Sequence, residues 1–135
     1  RAGRWIAPHA LVFDGCRWHA RVHCDRSGVF KDFVISRIAE TRSNKASEVL
    51  ASRDQDWQDD VDLIIAPHPE LSWGQRNAIE LDYGIKDGKA AIPVKRALLY
   101  YARKRLGLDT DPSARCPQDQ QIVLLNRAEI TGAIL

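Results

Sequence analysis

The first forty residues alternate apolar and polar positions with the period of two expected of strands whose faces meet different surroundings. Arg4 to Phe13 reads as a mixed strand carrying Pro8, and Asp14-Gly15 as a turn. Arg17 to Cys24 is the next strand, Asp25-Arg26-Ser27-Gly28 a hairpin turn, and Val29 to Ile38 the returning strand. Short strands connected in this way predict a small barrel or meander. Residues 39–56 are polar, with a weakly helical stretch from Ala46 to Ser52.

The second half has another rhythm. Val61 to Ala66 is a β run stopped by Pro67-His68-Pro69. Ser72, followed three residues later by Gln75, has the spacing of a capping box, and the helix it opens ends at Gly84. Ala90 to Lys95 reads as a strand and Ala97 to Leu106 as a helix closed by Gly107, with Leu98, Leu99, Ala102 and Leu106 on one face. Gln121 to Asn126 is a last strand. The order β-α-β-α-β predicts an α+β domain with helices packed on a sheet. A boundary falls near Ser52 to Asp56, giving domains 1–52 and 53–135.

Composition adds bounds. The 135 residues suffice for one compact domain or two small ones. The chain begins at Arg1 and contains no methionine, so it reads as a piece of a longer protein. No apolar run approaches the roughly 18 residues of a membrane helix, and no signal peptide is visible, so a soluble cytoplasmic protein is expected. The three cysteines form no CxxC pair, which argues against a disulfide framework. The net charge of +2 hides a segregation: the first fifty residues carry 9 basic and 5 acidic side chains, residues 51–90 carry 4 and 9, and the remainder 7 and 4. The positive amino-terminal segment points to an anionic partner, or to ordinary solvated charge.

Alternation along Arg17–Cys24 places Arg17, His19, Arg21 and His23 on one face and Trp18, Ala20, Val22 and Cys24 on the other. The second face is the expected core. A tight hairpin over residues 25–28 sets Cys24 opposite Val29, Arg21 opposite Asp32, His19 opposite Val34 and Arg17 opposite Ser36. The basic row is then either a site whose arginines can grip phosphate, or an outer face with an Arg21–Asp32 cross-strand pair and solvated histidines.

Catalytic and metal chemistry find little support. Alternation turns Cys16 and Cys24 one way and His19 and His23 the other, whereas tetrahedral zinc needs all four to converge. Asp54, Asp56, Asp59, Asp60 and Asp62 read as a solvated acidic loop, and His68 as a turn residue between prolines. With no glycine-rich phosphate loop and no GxSxG elbow, no enzymatic activity, cofactor or metal is expected.

Three segments carry a family resemblance: Arg4-Trp5-Ile6-Ala7-Pro8-His9-Ala10-Leu11-Val12, Gly15-Cys16-Arg17-Trp18-His19-Ala20-Arg21, and Phe30-Lys31-Asp32-Phe33-Val34-Ile35-Ser36-Arg37-Ile38. Together they resemble the WYL domain of bacterial transcriptional regulators, whose Trp-Tyr-Leu signature falls here on Trp18-His19-Ala20. The second half is similar to the WCX extension through Pro67-His68-Pro69, Gln75-Arg76, Ile79-Glu80, Asp82-Tyr83-Gly84, Leu98 to Tyr101 and Arg105-Leu106-Gly107-Leu108. Within that family the chain resembles repressors of anti-phage defence operons of the BREX and CBASS kinds.

The resemblance implies an Sm-like, SH3-type small β-barrel (WYL) followed by a small α+β WCX domain. It implies a homodimer, DNA contact through a helix-turn-helix that this sequence lacks, and a nucleotide or single-stranded nucleic acid effector. It maps the ligand pocket to His9, Trp18, His19, Arg21, Ser36 and Arg37. Trp18 is core by alternation and pocket by resemblance. The strand that normally precedes Arg4 is missing, so the barrel is expected to be open at that edge or completed by another chain. Two other functions are open: a purely structural dimerisation module, whose contact the helix Ala97 to Leu106 and the run Ile122 to Leu125 would supply, and a general Sm-like RNA-binding protein.

Overall fold

A computed structural model describes residues 3–133, with side chains placed through residue 130. The chain divides into two compact units between Gln55 and Asp56.

The first unit is a three-stranded antiparallel sheet in the order β1-β2-β3, with β1 Ile6–Phe13, β2 Trp18–Cys24 and β3 Val29–Val34. Its hairpin has the expected register, with Cys24 opposite Val29, Arg21 opposite Asp32 and His19 opposite Val34. Gly28, at φ +69°, occupies the left-handed region that closes so tight a turn. The returning strand is shorter than expected. It stops at Val34 and passes into a 3-10 turn over Ile35–Arg37, because the Arg17 amide donates to Asp14 Oδ1 at 2.7 Å and so leaves Ser36 no ladder partner. Among the described residues β1 and β3 are both edges, so the sheet is open and no barrel closes. The helix expected over Ala46–Ser52 does not form either. Residues 39–50 are irregular and a 3-10 turn spans Ala51–Arg53, since a segment with no apolar stripe to bury gains too little to nucleate a helix.

A short helix that begins at the boundary, α1 Gln55–Gln58, leads into β4 Asp60–Pro67, the central strand of the second unit's antiparallel sheet, ordered β5-β4-β6. Helix α2 (Trp73–Tyr83) connects it to β5 (Ala90–Lys95). A 3-10 turn over Arg96–Leu98 and α3 (Leu99–Arg105) follow, then α4 (Pro117–Gln120), β6 (Ile122–Leu124) and α5 (Arg127–Ala133). Leu63 and Ile65 of β4 are wholly buried, and pack with Ile79, Leu99, Leu108, Ile122, Leu124 and Ile130 into one core. Asn126 clamps the middle strand: its Oδ1 accepts the Ile64 amide at 3.1 Å and its Nδ2 donates to the Asp62 carbonyl at 2.8 Å.

The start and stop of α2 follow its local chemistry. The Ser72 hydroxyl accepts the Gln75 amide, the Gln75 side chain accepts the Ser72 amide, and Gly84 ends the helix in the left-handed region at φ +63°. Ser72→Ala removes one half of that reciprocal cap. It is expected to cost about 1 kcal/mol of stability, read as a shift in denaturant midpoint at constant slope.

Candidate functional site

Strand β2 is buried on both sides. Ala20, Val22 and Cys24 are enclosed as expected, but so are His19 and Arg21, at 2% and 5% exposure. The middle of the basic row is therefore covered, while Arg17 stays exposed and His23 is half-buried. Trp18 reverses the other expectation: at the start of β2 it is 53% exposed, resting against Phe13 of β1 with ring centroids 5.3 Å apart. Core burial stops short of the sheet's end.

Arg21 is the hub of the polar side. Its Nε and Nη2 donate to Oδ2 and Oδ1 of Asp54 at 2.6 and 2.8 Å, and its Nη1 donates to Asp32 Oδ1 at 3.3 Å. His9 Nε2 donates to Asp54 Oδ2 at 2.9 Å. The sequence places His9 there by a bulge. Pro8 pairs with Val22 and Ala10 with Arg21, so His9 is an extra residue in β1 and its ring turns to the Arg21 side. Phe30 packs edge-on against both His9 and His23, at 5.7 and 5.1 Å.

Asp54 is almost fully buried, so the acidic stretch is not uniformly solvated as expected. Burial alone would raise its pKa. The hydrogen bonds from Arg21 and His9, and their charge, outweigh that and hold the carboxyl below its ordinary value. The same bond from Asp54 raises Arg21 further above the ordinary arginine value. A bidentate guanidinium–carboxylate pair with an imidazole on one oxygen satisfies most of the lone pairs that burial strips of water.

A second, smaller cluster sits at the β1–β2 turn. His19 Nε2 donates to Asp14 Oδ2 at 2.6 Å, while Asp14 Oδ1 accepts the amides of Cys16 and Arg17. The Arg17 amide, then the His19 side chain, hold Asp14 well below the usual carboxylate range.

Of the six residues expected to form a pocket, His9 and Arg21 thus meet on one carboxylate, and His19 is engaged by another. Trp18 stands at the exposed end of the sheet. Ser36 and Arg37 are exposed on the 3-10 turn after β3, and among the described residues their side chains make no hydrogen bond or ion pair. The three carboxylates that organise the site differ in legibility. Asp32 follows from the hairpin register, and Asp14 as a cap from the Asp-Gly turn. Asp54 lies 33 residues from Arg21, and nothing local distinguishes it from its acidic neighbours.

Among the described residues no group of three His, Cys, Asp or Glu side chains is placed to hold a metal ion, and no helix is long and apolar enough to cross a membrane.

Residues 60–130 match the family model described as BrxR transcriptional regulator, C-terminal dimerization domain. The chain is also similar to proteins named DNA-binding transcriptional repressor CapW. It is 38% identical over 127 residues to the one from Escherichia coli (strain KTE188), covering 94% of this chain and 42% of the relative. For Pseudomonas aeruginosa the identity is 37% over 131 residues, covering 97% and 44%, and for Stenotrophomonas maltophilia 36% over 128, covering 93% and 43%. The chain spans less than half the length of the curated relatives it matches.

Proposed function

The chain belongs to the BrxR family of transcriptional regulators and carries their C-terminal dimerization domain, and from that premise we propose that it is the effector-sensing and dimerisation region of a homodimeric bacterial repressor. The target is a phage-defence operon, and DNA contact belongs to a helix-turn-helix elsewhere in the full-length protein. On this reading residues 1–52 are an Sm-like WYL sensing domain and residues 53–135 the WCX domain that pairs two subunits. The relatives are named as repressors and not as enzymes, and this chain is assigned no catalysis and no cofactor. Such a regulator works in the cytoplasm, where its operator is.

The effector is a nucleotide or single-stranded nucleic acid, bound through His9, Trp18, His19, Arg21, Ser36 and Arg37. One observation carries this: a guanidinium fork and an imidazole converge on a single buried anion, the Asp54 carboxylate. A phosphate oxygen pair presents the same bidentate face to arginine, so it can exchange with Asp54. Arg37 supplies an uncommitted cation and Trp18 an exposed ring on which a base can stack. Exchange would release the 39–54 segment that leads into the second unit, giving the ligand different affinities for two states, which is what a switch requires.

Short single-stranded oligonucleotides and cyclic nucleotides, titrated into the chain by fluorescence anisotropy or calorimetry, test the reading. Arg37→Ala is expected to weaken binding about tenfold or more, as loss of a charged contact does, and oligonucleotide affinity should fall steeply with salt. If neither class binds, or Arg37→Ala changes nothing, the pocket assignment is wrong. A second reading is favoured by the way Asp54, Asp32 and Asp14 already neutralise the buried cations: a purely structural dimerisation module. It predicts a stable dimer by light scattering that binds none of these ligands.

A further inference from the structure

Helix α2 presents a face with no partner in its own unit. Of its eleven residues only Ile79 is buried, with Arg76, Glu80 and Tyr83 half-buried beside it. The opposite face is made of Trp73, Gly74, Asn77, Ala78 and Leu81, all exposed and none charged. Trp73 is 79% and Leu81 84% exposed, the highest values among the large apolar side chains of the described residues. Solvated helix faces carry charge, and an uncharged face centred on a bare tryptophan and a bare leucine does not match one.

Gly74 points the same way. It stands at the second position of the helix, in the turn that Ser72 caps. A Cβ added there meets nothing within 4 Å, so packing within the described residues does not explain the glycine. With Ala78 one turn on, it leaves a shallow surface against which another backbone can approach closely.

We propose that this face of α2 is the centre of the homodimer interface, and that its occupant is the same helix of a second copy of this chain. Three features of the chain select that occupant. The helix lies within residues 60–130, which match a dimerization domain. The face carries no cation, so it does not suit DNA or another polyanion. And it is self-complementary: Trp73, Asn77 and Leu81 are spaced i, i+4, i+8 along one stripe. A two-fold axis through Asn77 therefore lays antiparallel helices together with each Trp73 over Leu81 of the partner subunit. The two ends are about 12 Å apart along the helix, so both aromatic–aliphatic contacts form at once. Asn77, at the axis, can hydrogen-bond its own symmetry mate, which fixes register in the way a single buried asparagine does in paired helices.

This inference rests on the homodimer of the proposed function, and the experiment separates the two. The chain, Trp73→Ala, Leu81→Glu and, in the turn after β6, the exposed Leu125→Glu are compared by sedimentation equilibrium. Circular dichroism reports on folding. Removal of a central aromatic or insertion of a charge is expected to weaken dimerisation at least about 100-fold, while Leu125→Glu remains dimeric. In a background of Cys16→Ser and Cys116→Ser, Asn77→Cys is expected to give a covalent dimer with a short bismaleimide, a readout that needs no loss of association. A monomeric parent chain overturns the homodimer itself. A dimeric parent whose α2 variants still dimerise, or whose Asn77→Cys form does not cross-link, overturns only the assignment to this face.

Discussion

Asp54→Ala is expected to cost the first unit about 3–5 kcal/mol, because it leaves the buried Arg21 guanidinium facing only Asp32 at 3.3 Å. A unit of this size has little to spare. Its buried apolar core is Ala20, Val22 and Cys24, and the rest of its interior is the polar network. A loss of even about 3 kcal/mol corresponds to roughly 12–24 °C in midpoint, so the expected result is a first unit unfolded at or near ambient temperature. Near-ultraviolet circular dichroism and the fluorescence of Trp5 and Trp18 read it. Asp56→Ala, two residues on and exposed, is the control and should fall within about 0.5 kcal/mol of the parent. The apolar pair Arg21→Met with Asp54→Leu removes both charges, and should recover a large part of the loss, giving a strongly non-additive cycle. Additive effects would mean that Asp54 and Arg21 act independently and that no shared network exists.

The same carboxylate sets an acid limit. Its folded pKa is depressed, so the stability it contributes is complete above the unfolded carboxylate range, about pH 4–5, and is lost as pH falls through the lowered value. The parent should lose stability progressively on that descent. Arg21→Met with Asp54→Leu should lose less over the same interval. Arg21, raised above an already high value, stays charged throughout and contributes no slope.

How much of this the sequence discloses depends on the range of the interaction. The α2 helix, from Ser72 to Gly84, is written in residues within one turn of each end, and both boundaries are read correctly. The β2–β3 register follows from a four-residue turn and brings out the Arg21–Asp32 pair. The burial of His19 and Arg21 does not. Period-two alternation says that the two faces of β2 differ, but it cannot say that the polar one is covered. That depends on Asp54 arriving from a segment whose composition looks solvated. Trp18 fails for the converse reason: its apolar character predicts core, yet it stands half-exposed at the start of the strand, against Phe13. The bulge at His9 is only half legible, because Pro8 signals either an edge strand or a bulge and does not say which.

Ile65→Ala is the change expected to cost the second unit most. Ile65 is wholly buried on the central strand, with Ala90 on one side and Leu124 on the other. Both neighbours belong to strands held by β4 alone, so the cavity opens where the sheet cannot close over it. The expected loss is about 2–5 kcal/mol, measured by denaturant unfolding. Ile64→Ala removes the same atoms one residue away, from the half-buried opposite face, and should cost about 1 kcal/mol. The contrast isolates burial from strand propensity, which the two substitutions alter alike. It also reaches function. If the second unit carries the dimer, destabilising its monomeric fold competes with association, so Ile65→Ala should dimerise more weakly than Ile64→Ala by a factor that shrinks as protein concentration rises. Equal costs at the two positions would place the core of this unit on both sides of the sheet, and the packing of Leu63, Ile65, Ile122 and Leu124 would no longer account for its stability.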